Sequence, residues 1–188
     1  MGMPDLRESW TRAEVLALPD DGNRYELFDG ELLVTPAPAS RHQDAALALV
    51  QRLIPYVKNT RCGHLGFSPA DLALEGGQIA QPDVYVVPLA EGRAPRHWGE
   101  YGIPLLVIEI VSPSSARHDR TIKRRRYQRT GVAEYWVVDL DAKLVERWRP
   151  ADERPEILDQ VVRWEPVSNQ PALEINLVEL FGEIPEEE

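Results

Sequence analysis

Two carboxylates in this chain stand where the surrounding sequence makes them costly. Glu109 lies inside Leu105-Leu106-Val107-Ile108-Glu109-Ile110-Val111, a run otherwise wholly aliphatic and ended by Ser112-Pro113-Ser114-Ser115. Such a run predicts a strand buried on both faces. An ionised carboxylate there is strongly unfavourable unless it is paired or holds a cation. Asp83 opens a second short strand, Gln81-Pro82-Asp83-Val84-Tyr85-Val86-Val87. Side chains alternate along strands, so Asp83, Tyr85 and Val87 share one face, as do Leu105, Val107, Glu109 and Val111. If the strands pair, the two acids converge, and at about 4 Å they repel by roughly 4 kcal/mol for an effective dielectric of about 20. A divalent cation between them converts that repulsion into binding, and oxygen-only donors favour magnesium, calcium or manganese. The same residues admit a structural reading, in which Glu109 pairs with an arginine and Asp83 shapes the turn after Pro82.

The elements that must position these acids follow from capping and periodicity. Thr11-Arg12-Ala13-Glu14 is a capping box that opens a helix over 11–18, stopped by Pro19. Residues 25–28 and 31–34 form a hairpin across Asp29-Gly30, a favoured two-residue turn. In that register Phe28 opposes Glu31 and Glu26 opposes Leu33, so Glu26 and Glu31 project from one face. Residues 35–39 are a stiff, proline-containing linker. Ser40-Arg41-His42-Gln43 reads as another capping box, opening a helix with a broad apolar stripe (Ala46, Leu49, Val50, Leu53) that Pro55 kinks or ends. His42, in its first turn, reads as a surface residue. Residues 65–74 read as a strand interrupted by Pro69, and Gly76-Gly77 turns the chain into an antiparallel pairing with the Asp83 strand. A loop over 88–104 has Trp98 as its anchor. A helix over 116–130, capped by Ser114 or Ser115 and stopped by Gly131, has too few aliphatics to be buried. It carries Asp119, Lys123 and Tyr127 on one stripe. Residues 134–138 are a buried strand, and weaker strands follow over 143–149, 157–164 and 173–178. This order suits a mixed α/β sheet flanked by helices.

The chain has 188 residues, which predicts one domain over 1–188, with a core over 24–150 and an acidic tail over 183–188. A single cysteine, Cys62, excludes an internal disulfide and a cysteine-cluster zinc site. The first residues have no apolar signal core and no run approaches membrane-span length, so a cytoplasmic location is expected. A formal net charge of −10 argues against a general nucleic-acid binder. Yet Arg117, Arg120, Lys123, Arg124, Arg125, Arg126 and Arg129 cluster, and a local basic patch suits either phosphate contact or a solvated helix face.

Pro82-Asp83 at the start of one strand, Glu109 within the next and a basic helix immediately after resemble the PD-(D/E)XK superfamily, with its restriction-endonuclease-like fold. More narrowly, the chain resembles the bacterial Uma-type family of restriction endonucleases. The resemblance is carried by Tyr25-Glu26-Leu27 with Asp29-Gly30-Glu31-Leu32, by Gln81-Pro82-Asp83-Val84, by Leu106 to Ser114, by Asp119, Lys123 and Tyr127, and by Gly131-Val132 with Glu134-Tyr135-Trp136. It runs over about 11–181.

That resemblance implies an α/β, restriction-endonuclease-like mixed sheet flanked by helices, with an N-terminal β-hairpin. It also implies an endonuclease that hydrolyses DNA with Mg2+ or Mn2+ and acts as a homodimer. Asp83 and Glu109 would be metal ligands, with the Ile110 carbonyl as a third oxygen. The superfamily's lysine falls two residues after the second acid, at Val111 here, and valine can neither orient water nor stabilise charge. Lys123, reaching in from the following helix, is the expected replacement. The alternative for Lys123 is a surface i, i+4 pair with Asp119, worth about 0.3–0.5 kcal/mol. Glu31 is expected as the further catalytic acid, with Glu26 second. Two other functions stay open. One is a nuclease-like fold without cleavage that serves as a binding or assembly module, which the missing lysine and the acidic charge favour. The other is hydrolysis of RNA or a nucleotide.

Overall fold

A computed structural model describes residues 9–74, 76–97, 100–113 and 115–186. Its centre is a six-stranded sheet in the order β10-β9-β8-β7-β6-β3. The two acid-bearing strands lie in its middle: β6 (Val84–Val87) and β7 (Leu106–Ile110), every residue of both being buried. They are antiparallel, with Val84 opposite Ile108 and Tyr85 opposite Val107. One step further along this register sets Asp83 against Glu109, on one face of the sheet. On its other side β7 runs parallel to β8 (Tyr135–Asp139). A parallel neighbour needs a crossover, and the helical stretch over 116–130 supplies it. β3 (His64–Phe67), β9 (Leu144–Trp148) and β10 (Glu156–Leu158) complete the sheet.

The hairpin forms as predicted. β1 (Arg24–Phe28) pairs with β2 (Glu31–Thr35), Glu26 opposite Leu33 and Phe28 opposite Glu31. Asp29 and Gly30 both take positive φ, 51° and 86°, the backbone that a two-residue turn matching the strand twist requires. With β5 (Gln78–Ala80) and β4 (Leu72–Leu74) the hairpin builds a second sheet, in the order β2-β1-β5-β4. The strand read over 65–74 is therefore two, one in each sheet, because the chain breaks at Ser68-Pro69 and changes layer. Gly76-Gly77 turns β4 into β5 and not directly into the Asp83 strand.

Two apolar clusters cover the two faces of the central sheet. On one face α2 (Ser40–Thr60) and α5 (Leu177–Gly182) bury Leu49, Leu53, Val57, Leu177 and Leu180 against Val84, Val86, Leu106, Ile108 and Trp136. Pro55 sits inside α2 without ending it. The strands expected over 157–164 and 173–178 are present, the first split between β10 and β11 (Val161–Trp164); β11 pairs with β12 (Leu173–Asn176) in a small separate sheet, and the second ends at Asn176, whose side chain accepts from the amides of Val178 and Glu179 to open α5. On the other face the hairpin sheet and the crossover helix pack Phe28, Leu33, Leu72 and Tyr127 onto Tyr85, Val107, Tyr135 and Val137. α1 (Arg12–Leu16), opened by the expected Thr11–Glu14 capping box, closes the outer side of the hairpin through Val15 on Leu27 and Ile79.

The crossover is α3 (Ala116–His118), one wide π-helical turn (Asp119–Lys123) and α4 (Arg124–Thr130), ended by Gly131 with φ 84°. Ser115 holds the N-cap position, but its hydroxyl accepts from the Ser112 amide instead of capping the helix. Ser114 and Trp98 lie outside the described residues. The scarcity of aliphatics predicts an unburied helix. In fact the Asp119–Lys123–Tyr127 stripe is fully buried, so its inward face is polar by design of the site beneath it.

Candidate active site

Three layers each deliver charge to one buried point. From the hairpin come Arg24 and Glu26, two apart on β1 and so on one face. From the central sheet come Asp83, just before β6, and Glu109, within β7. From the crossover come Asp119 and Lys123. Glu26, Asp83, Glu109, Asp119 and Lys123 are each 3% exposed or less. The Lys123 ammonium lies 2.7 Å from Glu26 Oε2, 3.1 Å from Glu109 Oε1 and 3.3 Å from Asp119 Oδ1. Lys123 is thus no surface partner of Asp119, and Glu109 is paired with a lysine and not an arginine. The Tyr127 hydroxyl donates to the same Glu109 Oε1 at 3.1 Å, and Tyr135 donates to the Asp119 carbonyl at 3.0 Å. Those two rings pack with centroids 4.9 Å apart and planes tilted by 43°, and fix the crossover against β7 and β8. The Gln81 amide donates to Glu26 Oε1 at 2.8 Å, which locks the hairpin to the Asp83 strand.

Asp83 is held differently. Arg24 Nη1 donates to its Oδ1 at 2.6 Å, the Ile110 amide donates to Oδ2 at 2.7 Å, and His42 Nε2 lies 3.0 Å from Oδ2. Burial pushes the Asp83 carboxyl up, but His42, Arg24 and the Ile110 amide outweigh it and leave it below the usual aspartate range. Glu109 goes the other way. Burial lifts it well above the usual glutamate range; Lys123 opposes this, and Asp119, Asp83 and Glu26 add to it. Asp119 is raised by burial against the pull of Lys123 and the Ser115 hydroxyl. Lys123 itself is disfavoured as an ion by burial, yet its three carboxylate neighbours hold it well above the usual lysine range.

The structure brings Asp83, Glu109 and Lys123 of the sequence-derived set into one cluster, with Ile110 bound to Asp83. It does not bring Glu31. That residue shares a face with Glu26 but sits one strand step nearer the hairpin tip, where it is exposed and lines a surface cavity with Arg117, His118 and Arg125. Glu26 is the acid that reaches Lys123. His42, read as a surface residue, is buried against Asp83. Arg24 went unnoticed; its signal was the alternation that places it beside Glu26. The arginine cluster is mostly spent on the protein itself. Arg120 pairs with Asp139 and Glu146, Arg124 lies over the Trp148 ring, and Arg126 and Arg129 reach Asp29. Arg117 and Arg125 are exposed.

The donor set suits a hard divalent cation. Four buried carboxyl groups, Glu26, Asp83, Glu109 and Asp119, face two permanent cations, Lys123 and Arg24. With all four ionised, two negative charges stand in excess, which an oxygen-bound Mg2+ or Mn2+ would neutralise; without such an ion, burial favours the protonated forms of Glu109 and Asp119. No three acidic, histidine or cysteine side chains are already set as a ready metal cage among the described residues. Asp83 in particular is occupied by Arg24 and His42.

The fold is a central mixed α/β sheet, with Asp83 just before β6, Glu109 in the adjacent β7 and Lys123 brought in by the crossover helix. The chain belongs to the Uma2 family, described as "Putative restriction endonuclease", which matches residues 12–180. A solved structure from Anabaena variabilis ATCC 29413, described as "a putative nuclease belonging to DUF820", has the same fold: TM-score 0.76 and 23% identity over 94% of this chain and 99% of that one. No curated protein matches the chain. Among the described residues no helix is long and apolar enough to cross a membrane.

Proposed function

We propose that the chain is a metal-dependent endonuclease that hydrolyses phosphodiester bonds in DNA. The observation that carries this reading is the convergence of four buried carboxyl groups, Glu26, Asp83, Glu109 and Asp119, with Lys123 and Arg24 at one buried point. Asp83, Glu109 and the Ile110 carbonyl are the groups that would hold Mg2+ or Mn2+. When bound, such an ion supplies charge neutralisation at the phosphate and a more acidic water. The chain's own residues do the rest. Lys123 presents a fixed ammonium to charge developing on the phosphate, the preorganised donor that catalysis of this kind uses. Glu26 and Asp119 keep that ammonium protonated and aimed, and Tyr127 fixes the Glu109 carboxylate. Lys123 thereby takes the place of the lysine missing at Val111. Each chain holds one such cluster, so cutting both strands calls for two copies, and we expect a homodimer.

The test is nicking of supercoiled plasmid in Mn2+ by the wild type, Asp83→Ala and Glu109→Ala. Activity in the wild type alone is expected; equal activity in all three marks a contaminant and ends the proposal. One observation favours a second reading, a nuclease-like binding or assembly module. Arg24 and His42 already engage both oxygens of Asp83, so the protein has its own neutralisation for that acid. Calorimetry with Mn2+ separates the two: saturable uptake lost in Glu109→Gln supports the enzyme, and no uptake supports the module.

A further inference from the structure

The longest helix, α2, begins without a cap. Its sequence reads as a Ser40 capping box, but the N-cap is Ala39, in extended backbone (φ −67°, ψ 163°), and no side chain bonds the first turn. Ser40 is one residue too far along to act, and the first turn contains no acid. The first amides of a helix have no acceptor within it, and with the helix dipole they favour an anion. A second, independent feature lies at the same place. His42, only 8% exposed, and Arg24, 9% exposed, both line a cavity of about 300 Å³ at this helix end, together with Arg41. His42 Nδ1 and Arg24 Nε make no hydrogen bond with any described residue. His42 Nε2 faces Asp83, which leaves Nδ1 for a partner from outside. The one acid on the rim, Asp141, is held at 2.6 Å by Arg41. Buried polar groups without partners are rare and call for a ligand or water.

We propose that this cavity is a phosphate subsite, which takes a backbone phosphate of the polynucleotide beside the one to be cut. The phosphate oxygens accept from the open amides of the first turn of α2 and from Arg24 Nε, and from His42 Nδ1 in the doubly protonated ring, since Nε2 is turned to Asp83. Arg24 and His42 also touch Asp83, so the subsite and the catalytic acids share two side chains, and a phosphate seated there registers its neighbour over Glu109 and Lys123. The owner of the phosphate rests on the nuclease reading above; the capture of phosphate itself does not.

The test uses inorganic phosphate on the full chain in chelator, followed by two-dimensional amide NMR. Saturable shifts at Ser40, Arg41 and His42 are expected. Ser40→Pro is the informative variant. Proline is favoured at the first helical position and follows the extended backbone of Ala39, so the helix stays while one amide donor goes. Its phosphate affinity falls about three- to tenfold, the worth of one charge-assisted bond. His42→Leu falls at least as far. A short DNA duplex displaces the phosphate. Absent shifts at residues 40–42, or unchanged affinity in both Ser40→Pro and His42→Leu, overturn the subsite. Phosphate capture that DNA does not compete overturns the polynucleotide and points to a free phosphate compound. Phosphate capture that DNA does compete, in a chain that nicks nothing, leaves the subsite standing and removes the nuclease.

Discussion

Replacing Lys123 with methionine keeps the stem and removes the one cation that three buried carboxylates share. Its three contacts, at 2.7, 3.1 and 3.3 Å, are each worth roughly 5–6 kcal/mol of attraction at an effective dielectric of about 20. Dehydration of the ammonium offsets most of that gross figure. The net loss on removing one partner of a buried ionic group is about 3–5 kcal/mol, a large share of the ~5–15 kcal/mol that stabilises a domain. Urea denaturation in chelator reads it, followed by the fluorescence of the buried Trp136, Trp148 and Trp164. At about pH 8 the variant is expected to lose that 3–5 kcal/mol, and at about pH 5.5 less, because carboxylates already biased towards protonation take up protons. Adding Glu26→Gln to Lys123→Met removes one of the stranded charges and recovers part of the loss. A wild-type midpoint and slope for Lys123→Met at pH 8 would refute the premise that this ammonium neutralises the cluster.

Three further outcomes are expected. Glu26→Gln lowers plasmid nicking by about 100-fold or more, as loss of a group that aims a transition-state donor does, whereas Glu31→Gln nicks like the wild type; the opposite order in a paired nicking assay would return the catalytic acid to Glu31. Asp83→Asn and Glu109→Gln each abolish Mn2+-dependent nicking; in chelator the thermal midpoint of Asp83→Asn falls, because buried Arg24 loses its ionised partner, whereas that of Glu109→Gln stays level or rises, since a buried carboxylate that burial already lifts is replaced by a neutral isostere. In chelator the wild-type midpoint falls as pH rises from about 5 to 8, because the folded-state values of Glu109 and Asp119 lie above their unfolded ones and their contribution is lost as pH climbs through them. Asp83, shifted down, acts in the opposite sense but only in more acidic solution. A midpoint that climbs over that range in a calorimetric series would contradict the assignment.

What could be read from residues alone was whatever a single strand or turn determines. The lone acid in an aliphatic run marked β7, Asp29-Gly30 marked the hairpin and its register, and i, i+4 spacing put Asp119, Lys123 and Tyr127 on one stripe. The choice between Glu26 and Glu31 depended on how far the hairpin tip overhangs the central sheet, which is tertiary geometry. Arg24 and His42 were missed for a related reason. An arginine in a strand and a histidine in a first helical turn are ordinary at a surface, and only the docking of the hairpin and α2 around Asp83 buries them. The Ser40 cap failed by one residue because the extended Ala39 after Pro38 lets the helix start early. The break in residues 65–74 was visible as Pro69, but its consequence, a change of layer, was not.

The wide turn at Asp119–Lys123 holds one residue more than a regular helix would need there. Each residue of a helix advances the side-chain direction by about 100°, so this surplus residue sets the phase between the serine-rich approach and everything that follows. Deleting a single residue from that turn would yield a smoother helix of the same polarity and nearly the same composition. It would also swing the ammonium away from Glu26 and Glu109, or pull Tyr127 out from beneath Phe28. This irregularity is therefore the chain's timing mark, and a chain shortened by one residue there would keep the architecture while losing its chemistry at one stroke.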